Sequence, residues 1–263
     1  MPLRRLGRLF CLSSILLAPA AWADSHADFQ QASGQLEALM AKATPQSGLP
    51  RLRDPAVAQL FSHIADGPRL FRAPVAALQD VNQSVAVCEK AMRLGKTYYA
   101  FGMEWPLPLS GTELQQARKE QVTQNLANYG DEMSMLFAFS MHCHGHLIAL
   151  MEQEFSAQPA DAVSGPERLR ARAFSKNTAV VYTSVVQFVQ VPFWNVVQKK
   201  RMLEAAAQHA TANARLMAPP LRERLLTSLA DADTDLDPAL APALATIRQA
   251  LSATSCEGLC RYY

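Results

Sequence analysis

Residues 131–155 read DEMSMLFAFSMHCHGHLIALMEQEF, from Asp131 to Phe155. Good helix formers fill this stretch, and apolar residues occupy nearly its whole circumference. A helix that is apolar all round belongs inside a larger protein or inside a membrane. Three histidines and one cysteine, His142, Cys143, His144 and His146, sit within five positions at its centre. Such a helix needs other helices to cover it, and the flanking sequence supplies them.

Upstream, Ser110-Gly111-Thr112-Glu113 has the Ser-x-x-Glu pattern that starts a helix. It predicts one long helix over 112–155, bent or divided at Tyr129-Gly130 because an interior glycine weakens a helix by about 1 kcal/mol. Pro74 opens another over 74–100. Its stripe of Val75, Leu78, Val81, Val85, Cys88 and Met92 steps by three and four residues and turns Cys88 inward. Downstream, Ser164-Gly165-Pro166-Glu167 repeats the start signal. A third long helix is expected over 166–217, with Val181, Val185, Phe188 and Val196 on one stripe and a kink at Pro192. Shorter helices follow from Phe29, Leu36, Leu39 and Met40, from Asp54-Pro55, from Leu221 to Ala230 and from Asp237-Pro238. No run alternates as a strand would. The expected fold is all-α, a single-domain helical bundle of long kinked helices with shorter terminal helices packed around them.

The chain begins with Arg4, Arg5 and Arg8, then an apolar run from Leu9, and Ala21-Trp22-Ala23. Basic start, short apolar middle and small-x-small end are the parts of a secretory signal peptide. The middle is shorter than the roughly 20 residues of a membrane span. Residues 1–23 are therefore read as a signal peptide and 24–263 as the helical domain, its first residue Asp24. The expected setting is periplasmic or secreted, and not integral to a membrane. Without the three signal arginines, the 25 basic residues fall to 22 against 23 acidic ones. A near-neutral chain has no global field to draw in nucleic acid.

Cys88, Cys143, Cys256 and Cys260 lie beyond the signal segment. An even count in an oxidising compartment predicts disulfides, with three pairings open. Cys88 and Cys143 both face the core from neighbouring long helices, so the favoured pairing is Cys88–Cys143 with Cys256–Cys260. The second bridge closes a short loop around Gly258 and staples the chain end. It does not match a thioredoxin-type pair, which has two intervening residues.

His142 and His146 are four apart, share a helix face and are the candidate metal ligands, with zinc or copper as the metal. Cys143 stands where the zinc-peptidase signature has Glu, and no third ligand is evident nearby. Packing in a polar core cluster is the plainer role, and no cofactor is expected. Cys143 is a poor nucleophile candidate, because helix neighbours point about 100° apart and leave His142 and His144 badly aimed to activate it. Asp231-Ala232-Asp233-Thr234-Asp235 resembles the start of a calcium loop, but Leu236 and Pro242 occupy positions that need Gly and Glu. Thr183, Gln187, Gln190 and Trp194 form a polar-aromatic stripe that would line a groove, or else face solvent. Phosphate loops, dinucleotide fingerprints and nucleophile elbows are missing from the sequence.

Three functions fit. The first is a non-catalytic binding or interaction protein of the cell envelope, of inhibitor, immunity or assembly-factor type, acting on an envelope protein or a small ligand. The second is a periplasmic metal-binding protein using His142 and His146. The third is a hydrolase whose residues are dispersed in sequence. The lack of catalytic motifs favours the first.

Overall fold

The structure is a computed structural model that describes residues 18–71, 78–103, 111–156, 163–232, 237–253 and 255. Among these residues there are helices and turns and no strand. In chain order they are α1 (Ala18–Met40), α2 (Pro55–Ile64), α3 (Gly67–Leu70), α4 (Leu78–Ala100), α5 (Gly111–Asn128), α6 (Gly130–Ser156), α7 (Gly165–Val189), α8 (Val196–Gln208), α9 (Ala210–Leu216), α10 (Pro219–Ala232), a 3₁₀ turn (Pro238–Leu240) and α11 (Ala241–Ala253). The fold is all-α, as the sequence predicts.

Helix α6 is the axis. Its segment Gly130–Glu152 is long and apolar enough to cross a membrane, and here α4, α7 and α8 wrap it. Helix α4 runs antiparallel to it, as successive rungs show. Ser84 meets His146, Cys88 meets Cys143, and Tyr98 packs on Tyr129 with ring centres 5.4 Å apart. Between the last two, Gly95 faces Leu136 and Phe137. Helix α8 runs parallel to α6. Gln198 Nε2 donates to Asp131 Oδ1 at 2.8 Å, Arg201 Nη1 to Ser134 Oγ at 2.7 Å, and further along His209 meets His142. Two parallel neighbours need a return path, and α7 supplies it. Phe188 stacks on Phe137 at 4.5 Å, and Thr178 meets His144.

The core inside this frame is aromatic and aliphatic, with Phe29, Phe61, Tyr98, Met133, Leu136 and Phe139 fully buried. Before α2, the loop at 49–52 is pinned by three side chains. Leu49 N–H donates to the Tyr129 hydroxyl, the Tyr98 hydroxyl to Pro50 C=O, and Leu52 N–H to Glu132 Oε1. These bonds give partners to backbone groups that would otherwise be buried unpaired.

Several predicted boundaries hold. Asp54 caps α2 through Ala56 N–H. Ser164 and Glu167 form the expected capping box, Ser164 N–H donating to Glu167 Oε2 at 2.8 Å. The chain divides at Tyr129 between α5 and α6. The expected helix over 166–217 is corrected: it is three helices, not one with a kink. Helix α7 ends at Val189, residues 190–195 turn, and Asn195 starts α8 with a capping box to Gln198. Pro192 sits in that turn, where its missing N–H is harmless. Pro219-Pro220 opens α10, since proline fits the first helical turn. Asp66 caps the short α3 through Arg69 N–H. Residues 72–77 and 104–110, which include Pro74 and Ser110, lie outside the described residues.

Candidate functional site

Five of the six histidines lie on the elements around the middle of α6. His142 is half-buried and its Nδ1 lies 3.0 Å from His209 Nε2, the rings meeting edge to face. One of those nitrogens carries the proton and the other accepts it, so the pair is a hydrogen bond between neutral imidazoles. Two glycines make room for it. A Cβ at Gly145 would run into the His209 ring, and a Cβ at Gly67 would lie 2.6 Å from the His142 ring. His209 sits at the junction of α8 and α9 with no side-chain cap bond to the helix, its ring engaged with α6 instead.

His146 Nε2 lies 3.1 Å from the hydroxyl of buried Ser84, and the ring stacks on Phe71 at 4.5 Å. His144 points to the other side of α6, its Nε2 3.0 Å from Thr178 Oγ1 and its ring stacked on Phe174. The Thr178 hydroxyl donates to Phe174 C=O at 2.9 Å. Its single proton is thereby used, so His144 is the Nε2–H tautomer and donates to Thr178. His26, buried on α1, adds its charge effect at His146.

Burial disfavours the imidazolium form throughout. It pushes His144 down to about 4, with His209 adding to the effect. It pushes His209 to about 4 as well, helped by His142 and His146. His142 is lowered by burial and partly restored by Asp66, and His146 is lowered by burial and then by His26. His142, His144, His146 and His209 are therefore mainly neutral at pH 7.

The sequence-predicted residues fall as follows. Cys88 and Cys143 form a disulfide with Cα atoms 5.5 Å apart, inside the range such a bridge needs. Cys143 is thus neither a free thiol nor a thiolate ligand. Cys256 and Cys260 lie outside the described residues, as does most of the acidic loop after Asp231. His142 and His146 share a helix face but turn to different partners, His209 and Ser84. Among the described residues no group of three or more His, Cys, Asp or Glu is placed to hold a metal ion. The stripe of Thr183, Gln187, Gln190 and Trp194 is not continuous. Gln187 and Gln190 are exposed at the end of α7, whereas Trp194 lies beyond the helix and is buried. Its indole N–H donates to Leu126 C=O at 2.9 Å and its ring stacks on Phe188. The stripe assumed an unbroken helix, and the turn at 190–195 removes that premise.

Sequence reasoning missed His209, Ser84 and Thr178. None carries a local signal: His209 stands in an alanine-rich run that reads as ordinary helix, and only the packing of α8 and α9 on α6 brings it to His142.

Beside His142 an open groove of about 640 Å³ runs between α6 and α8. Met135, Ala138 and Phe139 line it from α6, and Val197, Arg201 and Glu204 from α8. Its apolar residues lie between charged groups of both signs, and Lys200 pairs with Glu204 at 3.7 Å across one helical turn. A similar groove of about 600 Å³ lies between α1 and α2, apart from the His142–His209 pair. The chain matches no protein-family model, no curated protein and no solved structure.

Proposed function

We propose that this is a non-catalytic binding protein of the cell envelope that holds a small ligand or a segment of an envelope protein in the α6–α8 groove. The observation that carries this reading is the groove itself: apolar residues from two packed helices, charged groups beside them, and His142, bonded to His209, at its wall. Binding sites commonly combine mostly apolar walls with a few fixed polar groups. Two further features support a binding role over a chemical one. The thiol at 143 is consumed in the disulfide, and the histidine nitrogens described above bond one another or the hydroxyls of the fully buried Ser84 and Thr178. The periplasmic or secreted setting rests on the N-terminal segment and is part of the proposal.

A photo-crosslinking residue at Val197, which is exposed in the groove wall, tests this in cells that export the protein. The expected result is a discrete adduct that is missing when the same probe replaces exposed Thr227 on α10. Equal labelling from both positions, or a specific turnover found in an activity screen of the purified protein, overturns the proposal.

A further inference from the structure

Helix α7 has two faces of different character. Ala171, Ser175, Thr178, Tyr182 and Val189 turn inward and are buried. On the opposite side Leu169, Ala173, Lys176 and Val180 follow one another at steps of four, three and four residues, which is a single line along a helix. All four are exposed, Leu169 at 65% and Val180 at 56%. Exposed Arg168, Arg170 and Arg172 flank that line. The helix has one carboxylate, Glu167, and it is tied into the N-terminal cap by Ser164 N–H. The helix thus carries four basic side chains against one carboxylate, beside an apolar ridge, although the chain as a whole is close to neutral. The near-neutral total speaks against a global field, but it averages over the four basic residues of this helix.

An apolar line bordered by Arg and Lys is the pattern of helices that lie in a membrane interface, where the apolar side chains enter the headgroup–acyl boundary. Anionic headgroups attract the basic residues, and the attraction decays within a Debye length. The ridge is convex, and Leu169 and Val180 are about 16 Å apart along the helix. A convex line of that length suits a fluid, deformable surface better than a pocket in a protein. We propose that this face of α7 seats the protein peripherally on an anionic lipid bilayer. Leu169 and Val180 enter the interface, and Arg170, Arg172 and Lys176 meet the lipid phosphates, while Arg168, whose Nε donates to Val163 C=O at 3.1 Å, stays with the start of the helix.

Co-sedimentation of the full exported protein with vesicles decides the matter. At low salt, vesicles of phosphatidylcholine containing about a third phosphatidylglycerol should bind at least about tenfold more protein than phosphatidylcholine alone, and about 0.5 M salt should abolish most of the preference. The triple variant R170E/R172E/K176E should fall to the neutral-vesicle level with an unchanged circular dichroism melt. A control triple on other faces, K42E/K96E/R224E, changes the net charge equally and should still bind. Leu169→Ser with Val180→Ser should weaken binding several-fold while leaving the salt dependence. Equal binding to neutral and anionic vesicles, undiminished binding by the α7 triple, or equal loss in both triples would each overturn the proposal. So would capture of an acidic protein by this face from a protein that ignores anionic vesicles.

Discussion

At the scale of single residues, the His142–His209 bond depends on two absent side chains as much as on the imidazoles. Gly145 leaves space that the His209 ring fills, and that ring is also held by His142. Gly145→Ala adds helix propensity of about 1 kcal/mol but forces a rigid ring out of its place. The net expectation is a loss of about 1–3 kcal/mol, typical of overpacking. Denaturant unfolding measures it, and adding His209→Ala should return most of the loss, giving a coupling term that independent sites lack. A stabilised single variant would show that the notch is not needed. The histidines also set an acid response. An unfolded histidine titrates near 6.5, whereas folded His144 titrates at about 4. Between those values the unfolded chain binds the proton and the folded chain does not, so stability falls as pH drops through this window. The loss from His144 is at most about 3 kcal/mol when complete, and His209 acts in the same direction. Glu132 and Glu152, raised above the usual carboxylate range by burial, act oppositely. Comparison with His144→Asn isolates the histidine: its unfolding midpoint should change less between pH 7 and pH 5 than that of the wild type.

At the scale of elements, the joints carry the consequences. Asn195 starts α8 and so sets the helix that delivers Arg201 to Ser134 and, at its end, His209 to His142. Removing such a cap, as in Asn195→Ala, should destabilise the protein by about 1 kcal/mol in thermal or denaturant unfolding. The disulfide joins α4 to α6 across a sequence separation of 55. In the chain-entropy model a loop of that size stabilises by about 4 kcal/mol, so the double variant C88A/C143A should unfold at much lower denaturant, and unreduced peptide mapping should recover the linked pair. These joints also explain what could be read from the sequence. Cys88 and Cys143 could be paired because Cys88 lies on the apolar stripe of its helix and Cys143 on a helix that is apolar almost all round. The capping box at Ser164 was legible because Gly165 and Pro166 follow the cap directly and Glu167 stands three residues after it. The equivalent box at Asn195 was hidden, since Pro192 read as a kink in a continuous apolar pattern. Pro219 and Pro220 follow the expected helix end at 217, and sequence alone does not say whether such a pair closes one helix or opens the next, as it does for α10.

At the scale of the whole molecule, the helix at 131–155 identified the axis because only burial accommodates apolar residues on every side. The groove and the histidine pair were not legible in the same way. They arise where α8, parallel to α6, is set beside it by a turn the sequence disguised, and contacts between residues 67 positions apart leave no local trace. The first helix raises one more whole-chain question. Helix α1 begins at Ala18, so it runs through the Ala23/Asp24 boundary read as the cleavage site. Among its described side chains, Phe29, Leu36 and Met40 enter the core beyond that point, and Asp28, also beyond it, accepts from Arg69 at 2.7 Å. Cleavage there would leave these contacts in place, because a helix can lose its first turn and keep the packing of later ones. We therefore expect exported protein to begin at Asp24 by N-terminal sequencing. We also expect a chain produced from Asp24 onward, refolded under oxidising conditions, to melt within a few degrees of the exported one. Retention of Met1 after export would remove the cleavage. A much lower melting temperature for the shortened chain would show instead that residues before Asp24 belong to the folded domain.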